Sequence, residues 1–92
     1  MKYEFKPSFD KSLKNLPTDT KEEIRELCLI FLDEVASGNR LPKGTGLKNL
    51  RKDFWEIRKG LKLRVLFRWQ GDLIEFVLAG SHDDIKKSIK NG

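Results

Sequence analysis

Polar and apolar positions alternate most regularly from Phe54 to Gly80, FWEIRKGLKLRVLFRWQGDLIEFVLAG. In LKLRVLFRW, Leu63, Val65, Phe67 and Trp69 share one parity, and Lys62, Arg64, Leu66 and Arg68 the other. Side chains of a strand point alternately to its two faces, so the stretch predicts a three-strand antiparallel meander. A Gln70-Gly71 turn sets Trp69 opposite Asp72, Phe67 opposite Ile74, Val65 opposite Phe76 and Leu63 opposite Leu78. A three-residue loop, Lys59-Gly60-Leu61, pairs Ile57 with Leu63, Trp55 with Val65 and Glu56 with Arg64. One face is then apolar, with Trp55, Leu63, Val65, Phe67, Ile74, Phe76 and Leu78 as the predicted core. The other face is left open and carries Arg58, Lys62, Arg64 and Arg68 among Glu56 and Glu75. Leu66, on that open face, is a candidate partner contact.

The rest of the chain supplies what covers the apolar face. Lys2 to Lys6 alternates around Tyr3 and Phe5 and reads as a fourth strand ending at Pro7. Ser8 is placed to cap a short helix through Leu16, with Phe9, Leu13 and Leu16 at helical spacing and Pro17 as its stop. In a second helix Thr20 and Glu23 have capping-box spacing, Ile24, Leu27, Cys28, Phe31 and Val35 form the buried stripe, and Gly38 is the terminator. Asn39 to Gly46 reads as a loop, and LKNLRK then brings Lys48, Arg51 and Lys52 beside the meander. Asp83 to Lys90 forms a terminal helix that docks Ile85 and Ile89 on the sheet. The expectation is one α+β domain over residues 1–92, in the order β-α-α-β-β-β. Its antiparallel sheet has about four strands, with the helix hairpin packed on one face.

Length and charge narrow the function. Ninety-two residues give one modest core, and 19 Lys plus Arg against 14 Asp plus Glu give a net charge of +5, which favours an anionic partner. The single cysteine, Cys28, excludes an intrachain disulfide and a cysteine-based metal site, and it suits a reducing compartment. MKYEFK lacks a signal-peptide core and no run reaches transmembrane length, so a cytoplasmic protein without a membrane partner is expected.

FKPSFDKSLKNL, the helical hairpin after it and LKNLRKDFWEIRKGLKLRVLFRW together resemble the RelE/ParE superfamily of toxins from toxin–antitoxin systems. FWEIR is similar to a motif of the HigB branch, and GSHDD to the ending of the YafQ branch. The resemblance spans essentially the whole chain. It implies a RelE-like fold and a ribosome-dependent mRNA endonuclease that uses no metal or small-molecule cofactor. A cognate antitoxin is the implied protein partner, alongside the ribosome and mRNA. A gyrase inhibitor of the ParE kind, or an inactive antitoxin-binding or RNA-binding module, are the alternatives.

The resemblance also assigns roles. Arg64 matches the middle-strand arginine that clamps phosphate, Arg58 a basic position that assists, and His82 a histidine able to act as general acid near neutral pH. Lys48, Arg51, Lys52, Lys62, Arg68 and Lys86 are the candidate RNA-binding cations. Lys86 stands where YafQ-like proteins carry a terminal aromatic. The general base stays open between Glu56, Glu75 and a lysine. The plain alternative is that these charges form only a solvated ion-pair face, each pair contributing roughly 0–1 kcal/mol.

Overall fold

Val65, Leu66 and Phe67 are three consecutive buried residues, which a strand can provide only if both of its faces are covered. The computed structural model describes residues 1–60 and 62–91 and shows what does the covering. Its elements run β1 (Lys2–Phe5), α1 (Pro7–Leu13), α2 (Thr18–Ser37), β2 (Thr45–Arg51), β3 (Phe54–Lys59), β4 (Leu63–Gln70), β5 (Leu73–Gly80) and α3 (His82–Asn91). The strands form one sheet in the order β1-β5-β4-β3-β2, with β1 parallel to β5 and the other neighbours antiparallel. The α+β class is as expected, but the sheet has five strands and is mixed. The additional strand is β2, whose start at Thr45 falls within the segment read as a loop.

On one face, Phe9, Leu13, Ile24, Leu27, Cys28 and Phe31 of α1 and α2 pack against Ile57, Val65, Phe67, Ile74, Phe76 and Ala79. Phe31 and Phe67 meet with ring centroids 4.6 Å apart, and Phe5 stacks on Phe76 at 5.0 Å. Trp55, Leu63 and Trp69 pack at the margin of this core. Both helix starts differ from expectation. Helix α1 opens at Pro7 itself, whose missing N–H costs nothing in the first turn. Helix α2 opens at Thr18 after Pro17 with no side-chain cap, so the Thr20–Glu23 box does not form. Gly38 ends α2 in the left-handed conformation, as its position suggested.

The parity of β3 and β4 is as expected; the registers are not. Ile57 pairs with Val65 and Trp55 with Phe67, two residues from the expected alignment, and Lys59 pairs with Leu63. The strands therefore close at Lys59 and Leu63 instead of Arg58 and Lys62, and Leu61 lies outside the described residues. The β4–β5 turn is Gly71-Asp72, with Gly71 at φ +54°, so Gln70 pairs with Leu73 and Phe67 with Phe76. A bulge at Val77 then realigns the strands, pairing Leu66 with Leu78 and Val65 with Ala79. Ala79 enters the core in place of Leu78, which turns to the opposite face.

The bulge leaves backbone groups for α1 to satisfy. Ser8 donates its hydroxyl to the Val77 carbonyl at 2.6 Å, and the Ala79 N–H donates to Ser12 Oγ at 3.0 Å. Ser8 thus binds β5 instead of capping its own helix.

The opposite face, expected to be open, carries α3 against β4 and β5. Leu66 and Ile85 are buried there, at 1% and 2% exposure, apart from the main core. The helix is anchored at its start. The Ser81 N–H and hydroxyl donate to Asp84 Oδ2 at 3.0 and 2.9 Å, and the Asp84 N–H donates to Ser81 Oγ at 3.2 Å, a reciprocal cap. Gly80 makes room for it, because a Cβ there would lie 2.7 Å from Asp84 Oδ2.

Two outcomes are expected. Leu66→Ala should lower the unfolding free energy by about 2–5 kcal/mol in a denaturant titration, as for a buried leucine, whereas an exposed one would change it by about 0.5 or less. The Ser81 N–H, with the Ser81 hydroxyl, holds the Asp84 carboxyl below its ordinary value of 3.8. The cap's contribution is therefore complete above that value and is lost as pH falls through the lower native one. Protection of the α3 amides, measured relative to their intrinsic exchange rates, should fall on acidification through that window, and Asp84→Asn should abolish the step.

Candidate functional site

Cross-strand pairing arranges the α3 side of the sheet in rows. Gly46, Arg58, Arg64 and Gly80 are successive partners across β2, β3, β4 and β5, and Lys48, Glu56, Leu66 and Leu78 form the next row. Two arginines directly opposite each other repel, so this row costs stability unless an anion lies close. Glu56 supplies one: its Oε1 accepts from Arg64 Nη1 at 3.0 Å, and both groups are largely removed from water. Glu56 is 3% exposed, the one buried charged residue among those described. A buried ion pair of this kind contributes little net stability, but removing one partner strands the other and costs about 3–5 kcal/mol. Truncating Arg64 would therefore leave the buried Glu56 carboxylate unpaired and cost stability, although its parity alone puts it outside the core.

These groups line a cleft of about 430 Å³ with Lys48, Arg58 and His82. The cleft holds three permanent cations, Lys48, Arg58 and Arg64, against one carboxylate, Glu56, so its lining carries a positive balance of charge. Arg64 Nε is buried and has no hydrogen-bond partner, a donor still to be satisfied. Arg58 lies across Gly46: a Cβ at that position would be 2.7 Å from Arg58 Nε and 3.2 Å from its Cγ. Nothing about Gly46 requires positive φ, so its missing side chain serves the close approach alone. His82, exposed at the first position of α3, enters the cleft because the Ser81–Asp84 cap fixes where the helix starts.

All three residues expected to carry the chemistry, Arg58, Arg64 and His82, are thus brought together, with Lys48 beside them. Lys86 follows His82 by one helical turn and borders the adjoining pocket. The remaining cations are elsewhere. Arg51 lies further along β2 with Phe54 and Leu66, and Lys52 is in the exposed β2–β3 turn at φ +49°. Lys62 precedes β4 and lines a groove with Leu16 of the α1–α2 connection and Thr20, Glu23 and Ile24 of α2. Arg68 is four residues along β4 from Arg64, about 13 Å at strand spacing, where its Nε is 3.3 Å from Glu75 Oε1 and its Nη2 donates to Gln70.

The same network removes Glu75 as a candidate base at the cleft. Its Oε2 lies 2.9 Å from Lys6 Nζ, and hydrogen bonding to Glu75, with Glu4, raises the Lys6 pKa. Residues that pattern reasoning missed are Gly46, Leu50, Ser81 and Asp84. The spacing of Ser81 and Asp84 just ahead of an apolar-periodic run was the available signal. Burial pushes the Cys28 thiol up to about 12, which leaves it a structural residue. Among the described residues no group of three or more His, Cys, Asp or Glu is placed to hold a metal ion. No helix of the described residues is long and apolar enough to cross a membrane.

No family model and no curated protein matches the sequence. Solved structures do match the fold. A metal-bound toxin from Helicobacter pylori superposes with a TM-score of 0.65 and 18% identity, over 92% of this chain and 98% of that one. A chain of the RelB–RelE antitoxin–toxin complex from Methanococcus jannaschii gives 0.63 and 23%, over 91% and 95%. With nearly complete coverage on both sides, the chain has the RelE-like fold.

Proposed function

We propose that this protein is the toxin of a toxin–antitoxin pair and that it cleaves messenger RNA on the ribosome. The observation that carries the reading is the single cleft in which Arg58, Arg64, Lys48, Glu56 and His82 meet. The fold neighbours support the coarser part, since one is named as a toxin and another was solved as a toxin–antitoxin complex.

The groups suit cleavage by an internal nucleophile. The ribose 2′-oxygen attacks the adjacent phosphorus and loses its proton to Glu56, the one carboxylate among the described residues of the cleft. The phosphorane gains charge on its equatorial oxygens, which Arg64 and Arg58 offset through forked N–H donors. The bond from phosphorus to the 5′-oxygen breaks, and His82 donates a proton to that leaving oxygen. The products are a 2′,3′-cyclic phosphate and a 5′-hydroxyl. Because the reaction takes place on the ribosome, the reading puts the protein in the cytoplasm. An antitoxin with acidic residues over the same cations would block the cleft, and its association would slow as salt rises.

Cleavage of ribosome-bound mRNA tests the assignment. His82→Ala should slow it by about 10²–10⁴-fold with no loss of stability, since the side chain is exposed. Arg64→Lys should preserve a charge for Glu56 yet lose the fork, so that cleavage falls while the fold survives. Parental rates in both variants would refute the roles, and failure of DNA supercoiling before translation would favour the gyrase-inhibitor reading. Gly46→Ala should displace Arg58 and slow cleavage on the order of 10–100-fold, as a displacement of about 1 Å does, while the melting temperature stays put.

A further inference from the structure

Next to the basic cleft, and sharing Leu50, Glu56 and His82 with it, is a pocket of about 220 Å³ whose other walls are Ile85, Lys86 and Ile89. Its construction is specific. His82, Ile85, Lys86 and Ile89 fall at i, i+3, i+4 and i+7, the face that α3 turns to the sheet. The opposite wall comes from a second bulge, between Asn49 and Arg51 of β2, which gives two consecutive residues to the α3 side. Leu50 lines this pocket, and Arg51 lines another beneath the same helix. The result is an aliphatic slot, formed by Leu50, Ile85 and Ile89, that opens beside three cations and carries Lys86 on its rim.

We propose that this slot receives a nucleobase next to the phosphate held by Arg58 and Arg64, and that Leu50 and Ile89 make the stacking contact. The inference rests on the RNA-cleavage reading and adds the part of the substrate that reading leaves unplaced. The cleft binds an anion, and the slot, continuous with it through Leu50, binds a flat apolar group attached to that anion. A nucleotide has both parts one sugar apart. Every base has an apolar face, so such a slot adds affinity at one position of the strand, and Lys86 can meet the following phosphate.

A cycle between protein and RNA tests this. Binding would be measured to ribosomes carrying an mRNA that is 2′-deoxy at the scissile position, with and without an abasic substitution at each flanking nucleotide. For the parental protein one abasic position should weaken binding by about 10-fold, the loss of one base face buried against aliphatic side chains. The same substitution should change binding of Leu50→Ala or Ile89→Ala by less than about 2-fold, and Leu50→Met should restore the parental sensitivity. Equal abasic losses in parent and variants would overturn the slot, as would failure of the parent to bind either mRNA. Since this mRNA cannot be cut, the result is independent of the nuclease test. Cleavage of natural mRNA without the coupling removes the slot alone, and coupling without cleavage removes the nuclease assignment alone.

Discussion

Burial of β4 on both sides is the constraint from which the rest follows. Val65 and Phe67 need the α1–α2 layer, and Leu66 between them needs a cover of its own. Helix α3 provides it with Ile85, so the terminal helix has to lie on the face that carries Arg64 and Glu56. Once it is there, its first residue reaches the arginine row. The Ser81–Asp84 cap fixes that start, and the packing of a leucine thereby sets the position of a histidine. This coupling of core to site explains how one sheet and one short helix bring five polar groups together.

The electrostatics of the cleft run against stability. Arg58 opposite Arg64 is repulsive, and Glu56 is buried beside them. Ion pairs at the far end of the sheet, Lys6–Glu75–Arg68, are partly exposed and contribute little. A buried carboxylate with one arginine, next to a second arginine lying across a glycine, is a costly arrangement to build. Such costs concentrate where a protein binds or reacts. Arg64 Nε is buried there without a protein acceptor, as is Arg68 Nε outside the cleft.

Much of this was legible in the chain, and the rest had identifiable obstacles. Period-two alternation sorted β3 and β4 onto their faces because it does not depend on how the strands pair. Register did depend on pairing. Shifts of two residues leave every side chain on its own face, so parity could not separate a Gln70-Gly71 turn from Gly71-Asp72. The bulge at Val77 was invisible, because its signal is Ser8 and Ser12, about 70 residues earlier in the chain. Strand β2 was half hidden: an edge strand with two glycines in or beside it and only Leu47 and Leu50 apolar carries a weak pattern. Of the site, Arg58, Arg64 and His82 were named through family resemblance, while Gly46 and Leu50 became meaningful only when the bulged strand and the helix opposite were in place. The likeness in fold to RelE-like toxins, at identities of 18% and 23%, fits that division. Packing rules specify the scaffold, and a few residues of the cleft must specify its chemistry.

The central claim is that the cleft cuts RNA by attack of the 2′-oxygen, with Glu56 as base, the arginines at the phosphate and His82 as acid. The most direct measurement is the chemistry of the cut ends, read by mapping mRNA fragments from ribosomes exposed to the purified protein. Attack by the 2′-oxygen leaves a 2′,3′-cyclic phosphate on the upstream fragment and a 5′-hydroxyl on the downstream one. A 5′-phosphate paired with a 3′-hydroxyl, or intact mRNA on ribosomes that have bound the protein, would contradict it.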